Sequence, residues 1–476
     1  MTLAEVARPF IDDRWDEIVP VLQDYIRIPN KSPVFDPDWE ANGHMERAVE
    51  LVSGWLQSQG VAGLRLSVHR LPGKTPVIIA DVPATDPSIT GNVLLYGHLD
   101  KQPEMTGWLD GFGPWEPRLD GDRLYGRGAG DDGYAAFAAL TAVRAVRESG
   151  GSHARCIILI EASEESGSPD LPAHIEALAR GFGDGQALGE IDLVVCLDSG
   201  CSDYERLWVT TSLRGLVGFD LRVDVLTEGV HSGASGVVPS SFRILRALLS
   251  RIEDEDTGRV LLPGLYADIP PERVEQARAA AAALGDQLER EYPFAGGTRP
   301  MTDDPADQVL AQTWRPALSV TGLEGAPAPR DAGNVLRPST TAKLSMRLPP
   351  TCDEHRAFEL LTDALTTDPP SGAQVTVSGR EAGPGWDAPA TATWLAGAIE
   401  EASLAAFGQP PGALGIGGSI PFMAMLGDRF PNAQFLVTGV MGPGSNAHGP
   451  NEFLDLPTAR RVTACVAAVL DAHARR

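Results

Sequence analysis

Paired cysteines are missing from this chain. Its five, Cys156, Cys196, Cys201, Cys352 and Cys465, are odd in number and scattered without C-x-x-C spacing. That pattern argues against a disulfide framework or a thiolate zinc cluster. Cys156 and Cys196 sit in apolar runs and read as inert core residues. Positive charge is also scarce: 39 Lys and Arg stand against 64 Asp and Glu, a formal charge of -25, with no sustained basic stripe. Such a chain repels phosphate backbones and anionic lipid, which argues against nucleic acid and membrane partners. No run is apolar enough to span a bilayer, and the first residues lack the basic start and apolar core of a signal peptide. A cytoplasmic location is therefore the expectation.

What the chain does have is length and apolar content. Its 476 residues exceed one compact core, and 43% hydrophobic residues are ample to bury two. Apolar residues recur at helical spacing from Phe10 through Trp15, Leu22 and Ile26, and again from Ala48 to Leu56. Short continuous apolar runs at 76–82, 93–96, 156–160 and 193–197 then alternate with a helical stretch at 136–146. Runs of that kind suit strands buried on both faces, so the pattern predicts an α/β domain with a mostly parallel sheet. Near Leu207 the period changes. Val217, Phe219, Leu221, Val223 and Val225 alternate with Gly218, Asp220, Arg222 and Asp224, the mark of a strand with one wet face. Helical patterns at 242–252 and 272–288 follow, with further alternation at 342–348 and 374–377. The glycine- and proline-rich stretch 322–329 reads as a loop. Helices at 391–407 and 457–474 around an apolar run at 434–437 restore the first pattern. The expected organisation is a discontinuous α/β domain, 1–206 and 384–476, with an α+β domain inserted at 207–383.

Four segments carry residues that bind hard or borderline metals: Gly97-His98-Leu99-Asp100, Gly128-Ala129-Gly130-Asp131-Asp132-Gly133, Glu161-Ala162-Ser163-Glu164-Glu165-Ser166-Gly167 and Asn446-Ala447-His448-Gly449. Asp198 ends a further apolar run. The candidates that follow apolar runs fall where ligands of open α/β sheets collect, beyond the carboxyl ends of the strands. Taken singly, His98 reads as a structural histidine, Asp131 as a helix N-cap and His231 as a turn residue. The paired Glu164 and Glu165 place two like charges at one sheet edge, where they require cations or solvent. Imidazoles and carboxylates without thiolates suit Zn²⁺, Mn²⁺ or Co²⁺.

The joint occurrence of these motifs resembles the M20 metallopeptidases, within them the branch of cytosolic dipeptidases and carnosinases. The resemblance runs along essentially the whole chain. It is carried by Tyr96-Gly97-His98-Leu99-Asp100-Lys101-Gln102-Pro103, Leu124-Tyr125-Gly126-Arg127-Gly128, Asp131-Asp132-Gly133, Glu164-Glu165-Ser166-Gly167-Ser168, Leu197-Asp198-Ser199, His231-Ser232-Gly233, Gly417-Gly418-Ser419-Ile420-Pro421 and His448-Gly449-Pro450-Asn451-Glu452. Their order is that of the family.

The resemblance implies two Zn²⁺ per subunit, with Mn²⁺ or Co²⁺ as alternatives. Asp131 would bridge them, His98 and Asp198 would complete one site, and Glu165 and His448 the other. Two ions about 3.5 to 4 Å apart can share a hydroxide that attacks an amide carbonyl. Glu164 would be the general base, and Asp100 would orient His98. The inserted domain would act as lid and dimerisation domain, with His231 reaching the partner subunit's site to stabilise the oxyanion. Arg347, Asn334, Gly418 and Ser419 would bind substrate, Arg347 gripping its carboxylate. The resulting expectation is a homodimeric dipeptidase acting on small peptides with a free C-terminal carboxylate. An N-acyl amino acid amidohydrolase is the enzymatic alternative, and an inactive, metal-stabilised dimeric binding protein the other. Lys101, Gly133-Tyr134, Ser199-Gly200, Val237 and Arg337 depart from the commoner family pattern, none at a metal-ligand position.

Overall fold

The continuous apolar runs become strands buried on both faces. The computed structural model describes residues 1–181 and 187–476. They form two compact units: Met1–Thr210 with Ala388–Ala413 and Met425–Arg476, and Thr211–Asp387 with Leu414–Ala424.

In the first unit six strands lie in the order Arg65–His69, Val77–Val82, Arg155–Glu161, Asn92–His98, Leu193–Cys196 and Gln434–Val437. The first two pairings are antiparallel and the other three parallel, so the mostly parallel sheet expected from the sequence is present. Helices supply the cover. In Leu3–Ile26 the three-to-four spacing of Ile11, Trp15, Ile18 and Leu22 puts all four on one fully buried stripe. Trp15 keeps its indole N–H satisfied by donating to Thr463 Oγ1 at 3.1 Å, on the helix Leu456–Ala474. The alanine-rich helix Ala135–Glu148 is buried almost all round, as an all-apolar helix must be.

Parallel register decides what gathers at one edge of this sheet. Tyr96 pairs with Cys196, so His98 and Asp198 each lie two residues past the same rung. His98 itself pairs with Glu161, three residues before Glu164. Residues far apart in the chain thereby reach one rim.

The second unit holds a four-stranded antiparallel sheet in the order Ala317–Glu324, Ser339–Leu348, Gly215–Asp224 and Gln374–Gly383. One face packs Val217, Phe219, Leu221, Val223, Leu344 and Met346 against Ile244, Leu248, Leu361 and Leu365 of the helices Ser241–Leu249 and Glu354–Thr366. Two sequence expectations shift here. The helix expected over 272–288 spans Pro271–Leu284, because Gly285 follows with φ +52 and ends it, and a short helix resumes at Gln287–Arg290. The loop expected from residue 322 is still strand through Glu324, carried past a register shift between Val320 and Gly322. Among the described residues no helix is long and apolar enough to cross a membrane.

Candidate metal centre

Three strand ends, a glycine-rich turn and a C-terminal loop of the first unit converge on one cluster. His98 ends the strand Asn92–His98 and is 1% exposed. Its Nε2 lies 3.2 Å from Asp131 Oδ1, 3.8 Å from Asp198 Oδ1 and 4.0 Å from Glu164 Oε2. His448 Nε2 lies 3.0 Å from Asp131 Oδ2 and 3.3 Å from Glu165 Oε2. Asp131 thus turns one oxygen to each imidazole. His98, Asp100, Asp131, Glu164, Glu165, Asp198 and His448 are brought together, while His231, Asn334, Arg347, Gly418 and Ser419 belong to the second unit.

Backbone bonds hold the cluster in place. His98 Nδ1 is 3.0 Å from the Asp100 main-chain oxygen and 3.5 Å from its carboxylate. The carboxylate instead accepts the N–H groups of Glu164 at 3.1 Å and Glu165 at 3.0 Å. One residue therefore aims both the imidazole and the paired glutamates. Gly128 has φ +78, and a Cβ there would lie 2.6 Å from Lys101 Cε, so the turn that presents Asp131 needs glycine. Lys101, one of the departures from the family pattern, is buried and donates at 2.8 Å to the carbonyls of Tyr25 and Ile28, just at the end of the first helix.

The electrostatics call for cations. Burial first, and then the charge of Asp198, holds Glu164 well above the ordinary glutamate range. Burial and Asp131 do the same to Glu165. Burial foremost, against the pull of His98, pushes Asp198 up to about 6. Asp131 goes the other way: burial opposes its ionisation, but His448 and His98 overcome it and hold the carboxyl below its usual range.

The donor set fits divalent ions. Two groups, His98 with Asp132 and Asp198, and His98 with Asp131 and Glu165, each keep their ligand atoms within 4.8 Å of one another. Among the described residues Asp132 Oδ1 and Glu165 Oε1 are buried with no hydrogen-bond partner. A buried carboxylate oxygen left so is costly unless an ion takes it.

Sequence reading gives no role to three residues the structure makes prominent. Asp132 joins a candidate ligand group, and its other oxygen accepts the His98 N–H at 3.2 Å. Arg127 and Glu452, both 1% exposed, pair at 2.7 Å. Arg127 also donates to Gly449 O at 2.7 Å and Pro103 O at 3.1 Å, while Glu452 accepts from the N–H groups of Gly128, Gly130 and Asp131. This pair locks the Asp131 turn to the His448 loop. The signal was present, since both residues stand in the quoted motifs. Arg127→Met is expected to cost about 3–5 kcal/mol of stability by leaving Glu452 buried and unpaired, measurable by urea denaturation. The double variant Arg127→Met, Glu452→Gln should recover part of the loss.

In the second unit His231 is exposed, and its Nδ1 accepts the Gly233 N–H at 3.0 Å. It pairs with Val335 in a two-stranded ladder, one residue past Asn334, whose carbonyl accepts the Ser232 N–H at 2.9 Å. Arg347 Nη1 donates to Ser419 Oγ at 3.1 Å.

Comparison with known proteins bears on this geometry. The family model described as peptidase family M20/M25/M40 matches residues 94–472. A cysteinylglycine-S-conjugate dipeptidase of Corynebacterium striatum is 30% identical over 373 residues, 76% of this chain and 77% of the relative. A Beta-Ala-His dipeptidase of Homo sapiens is 31% identical over 361 residues, 73% of this chain and 68% of the relative. The crystal structure of human carnosine dipeptidase 1 superposes with a TM-score of 0.77 at 24% identity, covering 100% of both chains.

Proposed function

Because this chain belongs to peptidase family M20/M25/M40, we propose that its cluster is a dinuclear metal centre cleaving the amide bond of dipeptides or short peptides with a free C-terminal carboxylate. The observation that carries the reading is Asp131, whose two oxygens face different imidazoles, His98 and His448. Asp131 would bridge two Zn²⁺, or Mn²⁺ or Co²⁺, with His98 and Asp198 on one and Glu165 and His448 on the other. Such a pair of ions, when bound, lowers the pKa of water and polarises the scissile carbonyl.

The remaining steps fall to side chains. Glu164 takes a proton from the attacking water and passes it to the leaving amine, work that suits a carboxylate held above its ordinary range. Asp100 fixes His98 and the two glutamates through the bonds given above. Arg347 receives the substrate carboxylate with its planar fork, Ser419 and Gly418 bind the same carboxylate, and Asn334 contributes to the carbonyl site. The relatives point to small substrates: one is named for a cysteinylglycine conjugate and one for β-alanyl-histidine.

His231 acts across a homodimer, completing the partner's site. Its Nδ1 accepts a backbone N–H, which places the ring proton on Nε2, a donor suited to an oxyanion. Mixing His231→Ala with Glu164→Ala protein tests this. Random pairing should restore about a quarter of wild-type dipeptide hydrolysis, because half the dimers are mixed and each holds one intact site. No recovery in a preparation shown by light scattering to be dimeric would contradict the cross-subunit role.

A further inference from the structure

A chain with 64 acidic residues against 39 basic ones nevertheless keeps two arginines together without an acid. Arg214 is only 9% exposed, and Arg347 is half-buried. Among the described residues neither guanidinium has a carboxylate partner; burial first, then the charge of Arg347, brings Arg214 down to about 10, and burial lowers Arg347. A buried cation is ordinarily retained only when paired. Here main-chain carbonyls take the place of an acid around Arg214, and Arg347 meets only a hydroxyl among the described residues.

The geometry gives Arg214 a defined task. Its Nε donates to Gly417 O at 3.1 Å, and its Nη1 to Ala311 O at 3.4 Å and Arg315 O at 3.3 Å. Its own carbonyl accepts the Ser419 hydroxyl at 2.7 Å. That leaves Ser419 Oγ to accept from Arg347 Nη1 at 3.1 Å. One residue thus clamps the 417–419 turn from two sides, and the turn in turn aims Arg347. Gly417 leaves no room for change, since a Cβ there would lie 3.0 Å from Arg214 Nη2 and 3.0 Å from Gln312 O.

We infer that Arg214 is the second arginine of an anion subsite, a positioning residue that holds the 417–419 turn and Arg347 for the free carboxylate of the peptide. This rests on the carboxylate reading made under Proposed function. The second charge also deepens the positive field beside Arg347. Specificity for acid over amide at the peptide's C-terminus then depends on Arg214 without Arg214 touching the reacting atoms.

The test compares Leu-Gly with its C-terminal amide on full-length, zinc-loaded protein, in wild type, Arg214→Met, Arg214→Lys and Gly417→Ala. Wild type should show a KM for the acid at least roughly tenfold below that for the amide. Arg214→Met and Gly417→Ala should raise the acid's KM roughly tenfold, change kcat less than about threefold, and leave the amide's KM where it was. Arg214→Lys, which keeps the charge but not the fork, should fall between. If Arg214→Met does not fold, Gly417→Ala carries the test, since it keeps every charge. Loss of kcat on both substrates alike would mark a merely structural role and overturn the inference. So would wild-type discrimination that survives intact in the variants, with the function reading untouched. Wild type treating acid and amide alike would remove the carboxylate reading and this inference with it, and cleavage of neither would remove the peptidase reading as well.

Discussion

Glu164→Gln is expected to keep both ions and to lower kcat on a dipeptide by roughly 10²- to 10⁴-fold, the usual worth of a positioned general base. The substitution preserves shape and the main-chain N–H that Asp100 Oδ1 accepts at 3.1 Å, so the paired-glutamate turn should persist. What it removes is the group able to take and return a proton. Glu164 is held well above the ordinary range, first by burial and then by the charges of Asp198, Glu165 and Asp100 beside it. Metal content by elemental analysis beside kcat separates the two effects. Undiminished hydrolysis would sink the base assignment, and lost metal would make Glu164 a ligand instead.

Asp131→Ala should have the larger effect. With oxygens 3.2 Å from His98 and 3.0 Å from His448, Asp131 is the one carboxylate among the described residues within 4.0 Å of both imidazoles. Its removal should take the protein from two bound ions toward none and kcat/KM down by roughly 10⁴-fold or more. The fold should survive better than in Arg127→Met, because Glu452 and the turn's N–H groups keep their bonds. A variant that retains one ion at full occupancy would show that the two positions do not share Asp131.

Much of this is legible in the sequence, for a physical reason. Strands buried on both faces must be continuous apolar runs, and ligands beyond their carboxyl ends follow from chain direction, so His98, Glu164, Glu165 and Asp198 could be placed at one rim. Register then did what periodicity cannot express: Tyr96 opposite Cys196 makes His98 and Asp198 neighbours. Less legible were contacts between residues distant in sequence. Arg127 and Glu452 stand 325 positions apart, and nothing local marks either as half of a buried pair. Asp132 was overshadowed by Asp131, since adjacent acids look alike until the backbone turns one oxygen to the His98 N–H. Arg214 lies beside a strand start and shows its role only through the 417–419 turn. Gly285 was readable in principle, yet the alanine run around it carries a helical period straight past the break.

The central claim is a hydrolytic centre that needs two ions. Chelator-stripped protein titrated with Zn²⁺ while Leu-Gly cleavage is followed should show activity rising with added metal and reaching its plateau at two equivalents per chain. Full activity in the stripped protein, or a plateau at one equivalent with no second ion bound, would contradict it.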